Sequence, residues 1–312
     1  MGFTVASYGE ALWDLLPAGP VLGGAPLNFA YRVNSLGNRG VIISRLGEDE
    51  LGRKALEKIT ALGMEKTFIQ WDGKHPTGSV EIRFDDAKNP DYTIIEDVAY
   101  DYIEVLDGLV DFMRASDCLC FGTLAQRNET SRKTLWRLLD AFSGSFTLLD
   151  INLRRNCYSK ETITFSLDRT NVLKLNEEEL MELAEIYGSQ GRSLPGITES
   201  LVKKANLRYC VVTLGPQGAF AVSRDGETIY SPAFDVDMVD PCGAGDGFSA
   251  GFIHALLNKK PLTEACRFGN ALGALVAQQQ GATQPITYGE VVDFMVKGKV
   301  GAVDTRLEDF LV

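Results

Sequence analysis

"GVIISRLGEDELGRKALEKITALG", residues 40–63, holds the fold in miniature. Residues 40–47 are an apolar-rich run that does not alternate with polar residues, which marks a strand covered on both faces. Residues 49–63 then switch to an amphipathic helical pattern. The same alternation recurs along the chain. "DCLCFG" (117–122), "FTLLDIN" (146–152), "NVLKLN" (171–176) and "YCVVTLG" (209–215) read as further buried strands. "NETSRKTLWRLLDAF" (128–142) sets Leu135, Leu138, Leu139 and Phe142 on one helical face. Strand–helix alternation of this kind predicts an α/β fold, a mostly parallel sheet with helices on both faces, as one domain over residues 1–312. Ligands in such sheets sit at the carboxyl ends of the strands.

One region departs from the pattern. "TGSVEIRF" (77–84) alternates apolar and polar residues, "DDAKNPD" (85–91) turns, and "YTIIE" (92–96) runs back. That predicts a half-exposed antiparallel hairpin. With the segment near 10–22 it would form a small antiparallel β lid, inserted at about 10–22 and 71–98.

Composition narrows the function. The chain has 312 residues, 45% hydrophobic and 23% charged, with a formal net charge of −11. An acidic total argues against a nucleic-acid surface, which needs a basic footprint. No apolar run is long enough to span a bilayer, and the start lacks signal-peptide and myristoylation patterns. The six cysteines are scattered, and the two histidines offer few zinc ligands. Reduced cytoplasmic thiols are the expectation.

The chemistry-bearing stretches are each ambiguous alone. "DPCGAGDGF" (240–248) puts two glycines just before Asp246 and a helix. It is a flexible turn with an acidic first helical residue, or an amide cradle for an anion beside a general base. "LGGAPLNFAYRVNSLG" (22–37) sets Asn28 in a first helical turn beside Gly23 and Gly24, a polar group suited to polyol hydroxyls, and Asp14 follows the first strand. "LLDINLR" (148–154) ends a strand in Asp150, Asn152 and Arg154, a surface ion pair or a clamp on phosphoryl charge. "LKLNEEEL" (173–180) spaces Asn176 and Glu179 as a capping box, or as a pair holding Mg²⁺ through water. "TLGPQGA" (213–219) is a strand-ending turn, and the small residues of 262–282 serve tight packing or a flat ligand. Neither a P-loop nor a dinucleotide fingerprint is present.

In order and spacing, these motifs resemble the PfkB (ribokinase-like) carbohydrate kinases, and within them the fructokinase branch. The likeness runs through "GEALWDLLP", "GGAPLNFA", "RLGEDELG", "PTG", "DINLR", "KLNEEEL", "TLGPQGA" and "DPCGAGDGF". It implies that Asp246 takes the proton from a sugar hydroxyl and that the backbone of Gly243, Ala244 and Gly245 forms an anion hole. Arg154 would neutralise phosphoryl charge. Asp14, Gly24 and Asn28 match sugar-contacting positions. Asn176 and Glu179 match the pair that organises Mg²⁺ and phosphate, and Thr213, Gly215, Gly218 and Asn270 match nucleotide-side positions. The lid in relatives covers the sugar and often mediates dimers, which implies a homodimer. Pro241 and Cys242 depart from the family's usual D-T-x-G-A-G-D, which leaves a K⁺ site open.

The reading is therefore an ATP- and Mg²⁺-dependent kinase for a small neutral sugar, D-fructose to fructose 6-phosphate first. 2-Keto-3-deoxygluconate, ribose or a nucleoside are the alternative acceptors, and a non-catalytic sugar- or nucleotide-binding protein is the alternative class. Glu96 and Asp97 at the lid exit would repel a carboxylate substrate, and Arg83 is the lid's arginine. Cys242 adjoins the anion hole, so Mg-ATP should slow its alkylation.

Overall fold

A computed structural model describes residues 2–17, 19–84, 90–189 and 191–312. In chain order the strands are β1 (Thr4–Tyr8), β2 (Leu12–Leu16), β3 (Gly19–Gly23), β4 (Arg39–Gly47), β5 (Ile69–Asp72), β6 (Ser79–Phe84), β7 (Pro90–Ile94), β8 (Cys118–Phe121), β9 (Phe146–Asp150), β10 (Val172–Asn176), β11 (Tyr209–Thr213), β12 (Ala219–Ser223) and β13 (Thr228–Ser231). The helices are α1 (Ala25–Ser35), α2 (Glu50–Ala61), α3 (Leu109–Arg114), α4 (Glu129–Ala141), α5 (Lys160–Asp168), α6 (Glu177–Tyr187), α7 (Leu194–Lys204), α8 (Ala244–Leu257), α9 (Leu262–Ala277) and α10 (Tyr288–Lys297).

The large sheet runs β13-β12-β11-β10-β9-β8-β1-β4-β5. It is parallel from β11 to β5 and antiparallel at β12 and β13. Alternate strand residues feed opposite faces. Leu173 and Leu175 join Leu149, Leu138 and Leu183 on the face covered by α3 to α7. Val172, Leu148 and Val211 join Phe248, Phe252 and Leu272 under α1, α8, α9 and α10. Both faces are covered, so the strands read as continuous apolar runs.

β1 pairs with β4 on one side and β8 on the other. The chain order reverses there, and such a switch point leaves a crevice at the strand ends. The small sheet runs β3-β2-β6-β7 and brings Asp14 within electrostatic reach of Arg154, beyond the end of β9. Its two hairpins are antiparallel, and a short parallel pairing of β2 with β6 joins them. The expected limits narrow: Trp71 and Asp72 belong to β5 of the large sheet, so the small sheet is built from 12–23 and 79–94. Asp14 accordingly lies within β2, not at the end of the first strand. The expected turn at 85–91 falls largely outside the described residues, as does the side chain of Arg83.

Most of the small residues of 262–282 lie in α9, which stops at Ala277. Its small residues serve packing: a Cβ on Gly269 would lie 2.9 Å from the Phe248 ring, and one on Gly273 3.0 Å from Ala244 O. Among the described residues, no helix is long and apolar enough to cross a membrane.

Candidate active site

The crevice is built around α8. Gly243 is its N-cap, at φ 77. A side chain at that φ is strained, and a Cβ there would come within 2.3 Å of Ala282 Cβ. Glycine is required on both counts. The Ala244 N–H closes a turn on Pro241 O (3.2 Å), so it is not directed at a ligand in this conformation. The turn's capacity for an anion therefore rests on its glycine amides and on the positive end of α8. No hydroxyl is offered by Pro241 or Cys242.

Asp246 follows in the first turn of α8 and is 9% exposed. Its Oδ2 accepts from Asn28 Nδ2 at 2.8 Å, bridging residues 218 positions apart. Burial, with Asp150 nearby, pushes its carboxyl up to about 6 against the pull of Asn28, Lys174 and Arg154. A buried carboxyl at that level is ionised at neutral pH and basic enough to accept a proton. Asn28 Oδ1 is buried and has no protein partner, so it can receive a hydroxyl.

The acceptor side continues with Gly24, at φ 113, where a Cβ would meet Glu10 O at 2.5 Å. Glu10 is 8% exposed, and burial pushes its carboxyl up to about 7, against contacts with its own backbone and Ala25 and the pull of Arg154; Asp246 adds to the rise. Burial likewise raises the carboxyl of Asp14, with Arg154 opposing. Arg154 is exposed, and among the described residues its Nη1 has only a long bond to Leu153 O at 3.5 Å. It is the cation that Glu10, Asp14 and Asp246 share.

Beneath α8 lies an ion pair. Lys174 Nζ donates to Asp150 Oδ1 at 3.0 Å, and Ser249 Oγ donates to Asp150 Oδ2 at 2.7 Å. Lys174 and Asp150 are register partners across β10 and β9. A Cβ on Gly245 would sit 3.2 Å from Lys174 Nζ, so the ammonium faces the glycine turn. Burial opposes its charge, but Asp150 and Glu179 outweigh that and hold its pKa above the ordinary value.

Asn176 and Glu179 form the reciprocal capping box of α6. Asn176 Oδ1 accepts from Glu179 N (2.8 Å) and Glu179 Oε2 from Asn176 N (2.9 Å). Glu179 Oε1 also accepts from Leu153 N at 3.0 Å, which ties α6 to the Arg154 loop. Each Glu179 oxygen is thus already in use, although burial holds the carboxyl above its ordinary value. Among the described residues, no group of three or more His, Cys, Asp or Glu could hold a metal ion. Each carboxylate oxygen can still accept from a water, so the pair offers Mg²⁺ a contact through water and no direct ligand set.

Of the four positions expected on the nucleotide side, Gly218 and Asn270 meet at Ser231, at the end of β13. A Cβ on Gly218 (φ 100) would strike Ser231 O at 2.2 Å, and Asn270 Nδ2 donates to the same Ser231 O at 2.9 Å. Thr213 Oγ1 reaches Leu175 O at 3.4 Å, and Gly215 takes φ 57 at the exposed tip of the turn. Asn270 Nδ2 also reaches Ser231 Oγ and Pro232 O at 3.2 Å, so its amide nitrogen holds this corner together.

Glu10, Lys174 and Ser249 are members of the cluster that sequence reasoning missed. A signal existed for one of them: a lysine inside an unbroken apolar strand must find a buried partner. Asp97 corrects an expectation. Its carboxylate takes the Tyr102 hydroxyl and faces His75 Nε2 at 3.8 Å, so it is engaged with these two side chains. Cys242 is exposed, while the other cysteines are buried. Desolvation at the site mouth, then Asp246, Asp14 and Asp240, push its thiol up to about 12. Alkylation of Cys242 is expected to be slow at neutral pH, to rise with pH, and to slow further on adding acceptor as well as Mg-ATP. Labelling indifferent to both ligands would remove Cys242 from the site mouth.

A model of the pfkB family carbohydrate kinases matches residues 20–287. A 5-dehydro-2-deoxygluconokinase of Geobacillus kaustophilus is 27% identical over 297 residues, covering 90% of this chain and 86% of that protein. Fructokinase-1 of Zea mays is 26% identical over 324 residues, covering 94% and 98%. The crystal structure of an uncharacterised sugar kinase of Pyrococcus horikoshii in complex with ATP superposes with a TM-score of 0.77 at 26% identity, covering 93% of this chain and 97% of that one.

Proposed function

The chain belongs to the pfkB family of carbohydrate kinases, and from that premise we propose that it transfers the γ-phosphoryl group of ATP to the primary hydroxyl of a neutral ketohexose, D-fructose, giving fructose 6-phosphate. The observation that carries this reading is Asp246: a buried, amide-held carboxylate in the first turn of α8, directly after a glycine turn able to take an anion. Asp246 accepts the hydroxyl proton as the oxygen attacks. The glycine amides and Arg154 stabilise charge on the transferring group. Asp14, Gly24 and Asn28 orient the acceptor. Thr213, Gly215, Gly218 and Asn270 border the nucleotide. Asn176 and Glu179 would hold Mg²⁺ through water, where the ion neutralises phosphate charge. The small sheet closes over the acceptor and excludes water.

Charge supports a neutral acceptor. Glu10, Asp14 and Asp246 crowd the acceptor side, and Arg154 is the cation they share. With Asp97 turned toward Tyr102, this crowding replaces the lid-exit carboxylates as the argument. A sugar acid is the second reading, because a relative named for one is as similar as one named for fructose. Release of ADP from Mg-ATP with D-fructose, 2-keto-3-deoxygluconate, D-ribose or adenosine separates these. Turnover with fructose supports the proposal. Turnover with the sugar acid alone would keep the kinase and discard the charge argument, and binding of sugar and nucleotide without turnover would point to a binding protein.

The base must be ionised to work. As pH falls through about 6, Asp246 binds its own proton and the rate falls with it. The pH profile of kcat/KM should therefore be flat above neutrality and drop about tenfold per unit on the acid side. An acid limb at the ordinary carboxylate value, about 4, would contradict the burial argument.

A further inference from the structure

The helix that presents Asn28 also holds a buried cation with no part in the contacts above. Arg32 lies one turn further along α1 and has 0% exposure. Its Nη1 donates to Gln284 O at 2.7 Å and its Nη2 to Ala282 O at 2.5 Å. Main-chain carbonyls, not a carboxylate, take both Nη groups. A planar guanidinium fork can span two carbonyls in this way, whereas an ammonium is a point charge.

The position of those carbonyls explains the expense of burying a charge. Segment 281–284 lies against the glycine turn. Gly281 N donates to Asp240 Oδ2 at 2.9 Å, and Asp240 Oδ1 accepts from Cys242 N at 2.9 Å. Ala282 is 5% exposed, and its Cα and Cβ lie 2.9 and 2.3 Å from where a Gly243 Cβ would stand. Gly243 and Ala282 therefore touch without slack, and Arg32 grips Ala282 by its carbonyl. The circuit closes through Asp246, which returns to Asn28 on the same helix.

We infer that Arg32 is a positioning residue for phosphoryl transfer: it clamps segment 281–284 onto the Gly243–Gly245 turn and so keeps that turn's amides aimed at the transferring group. The inference rests on the role proposed for the turn. It also predicts that the acceptor helix and the anion turn move as one unit.

The test compares wild type with Arg32→Lys and Arg32→Ala, reading kcat, both KM values, and the alkylation rate of Cys242, the exposed thiol beside Gly243. A displaced turn costs rate more than affinity, so kcat should fall about ten- to a hundred-fold in Arg32→Lys, because a displacement on the order of 1 Å suffices for that. Both KM values should stay within about twofold. Cys242 alkylation should speed up in both variants, and added guanidinium ion should restore part of the kcat of Arg32→Ala where sodium does not. If Arg32→Ala does not fold, Arg32→Lys decides. A Lys variant with wild-type kcat and wild-type Cys242 labelling, or a defect confined to thermal stability, would overturn the inference. Should wild type transfer phosphoryl to no acceptor, the kinase reading fails, and Cys242 labelling alone then tests the clamp: faster labelling supports it and unchanged labelling overturns it.

Discussion

Asp246→Asn lowers kcat by about 10²–10⁴ while ATP affinity stays within about twofold. The substitution is nearly isosteric, and its side-chain oxygen can still accept from Asn28, now 2.8 Å from Asp246. Geometry is thus retained and only the proton-accepting charge is lost. Some rate survives, because positioning and charge stabilisation by the turn and Arg154 remain. Steady-state kinetics beside calorimetric ATP titration separates the two quantities. Wild-type turnover in the variant would reduce Asp246 to an acidic residue that suits a helix N-terminus.

The second large effect is on stability. Lys174→Met is expected to cost about 3–5 kcal/mol, the usual penalty for leaving a buried charge unpaired. Lys174 and Asp150 side chains are 7% and 8% exposed, so water cannot screen the orphaned Asp150 carboxylate. Adding Asp150→Asn to the same chain removes that charge and should recover much of the loss. Denaturant unfolding of the two variants measures both steps. A loss below about 1 kcal/mol would be the behaviour of a surface pair and would contradict the burial. Lys174 also lowers the Asp246 carboxyl, so its removal should move the acid limb of the rate profile to higher pH.

Much of this was legible in the chain. Strands β4, β8, β9, β10 and β11 declare themselves as unbroken apolar runs because helices cover both faces of the sheet. The first turns of α1 and α8 are marked by Pro26 and by the glycines at 243 and 245, since those positions need special backbone. The antiparallel strands β12 and β13 were not singled out: "AFAVS" and "TIYS" are short and resemble any buried segment. Register within the small sheet was likewise hidden, because the parallel β2–β6 pairing joins segments more than sixty positions apart.

The site divided the same way. Motif residues such as Asp246, Asn28, Asn176 and Glu179 stand at element boundaries, where a polar residue beside an apolar run is conspicuous. Arg32 does not. An arginine in mid-helix ordinarily reaches water, and what buries Arg32 is a pair of carbonyls 250 and 252 positions away. Periodicity reports which face is apolar, not which distant backbone will arrive to satisfy a charge. Asp97 was hidden for a related reason: it adopts φ 59 and turns toward Tyr102, a local conformation its position in a hairpin exit does not announce.

The most direct test of the account is ³¹P NMR of wild type and Asp246→Asn, each incubated with Mg-ATP and D-fructose. The account predicts fructose 6-phosphate and ADP appearing in equal amounts with wild type, and neither accumulating on the same timescale with the variant. Equal product from the variant, or ADP with inorganic phosphate and no sugar phosphate from wild type, would contradict transfer to a sugar hydroxyl with Asp246 as the base.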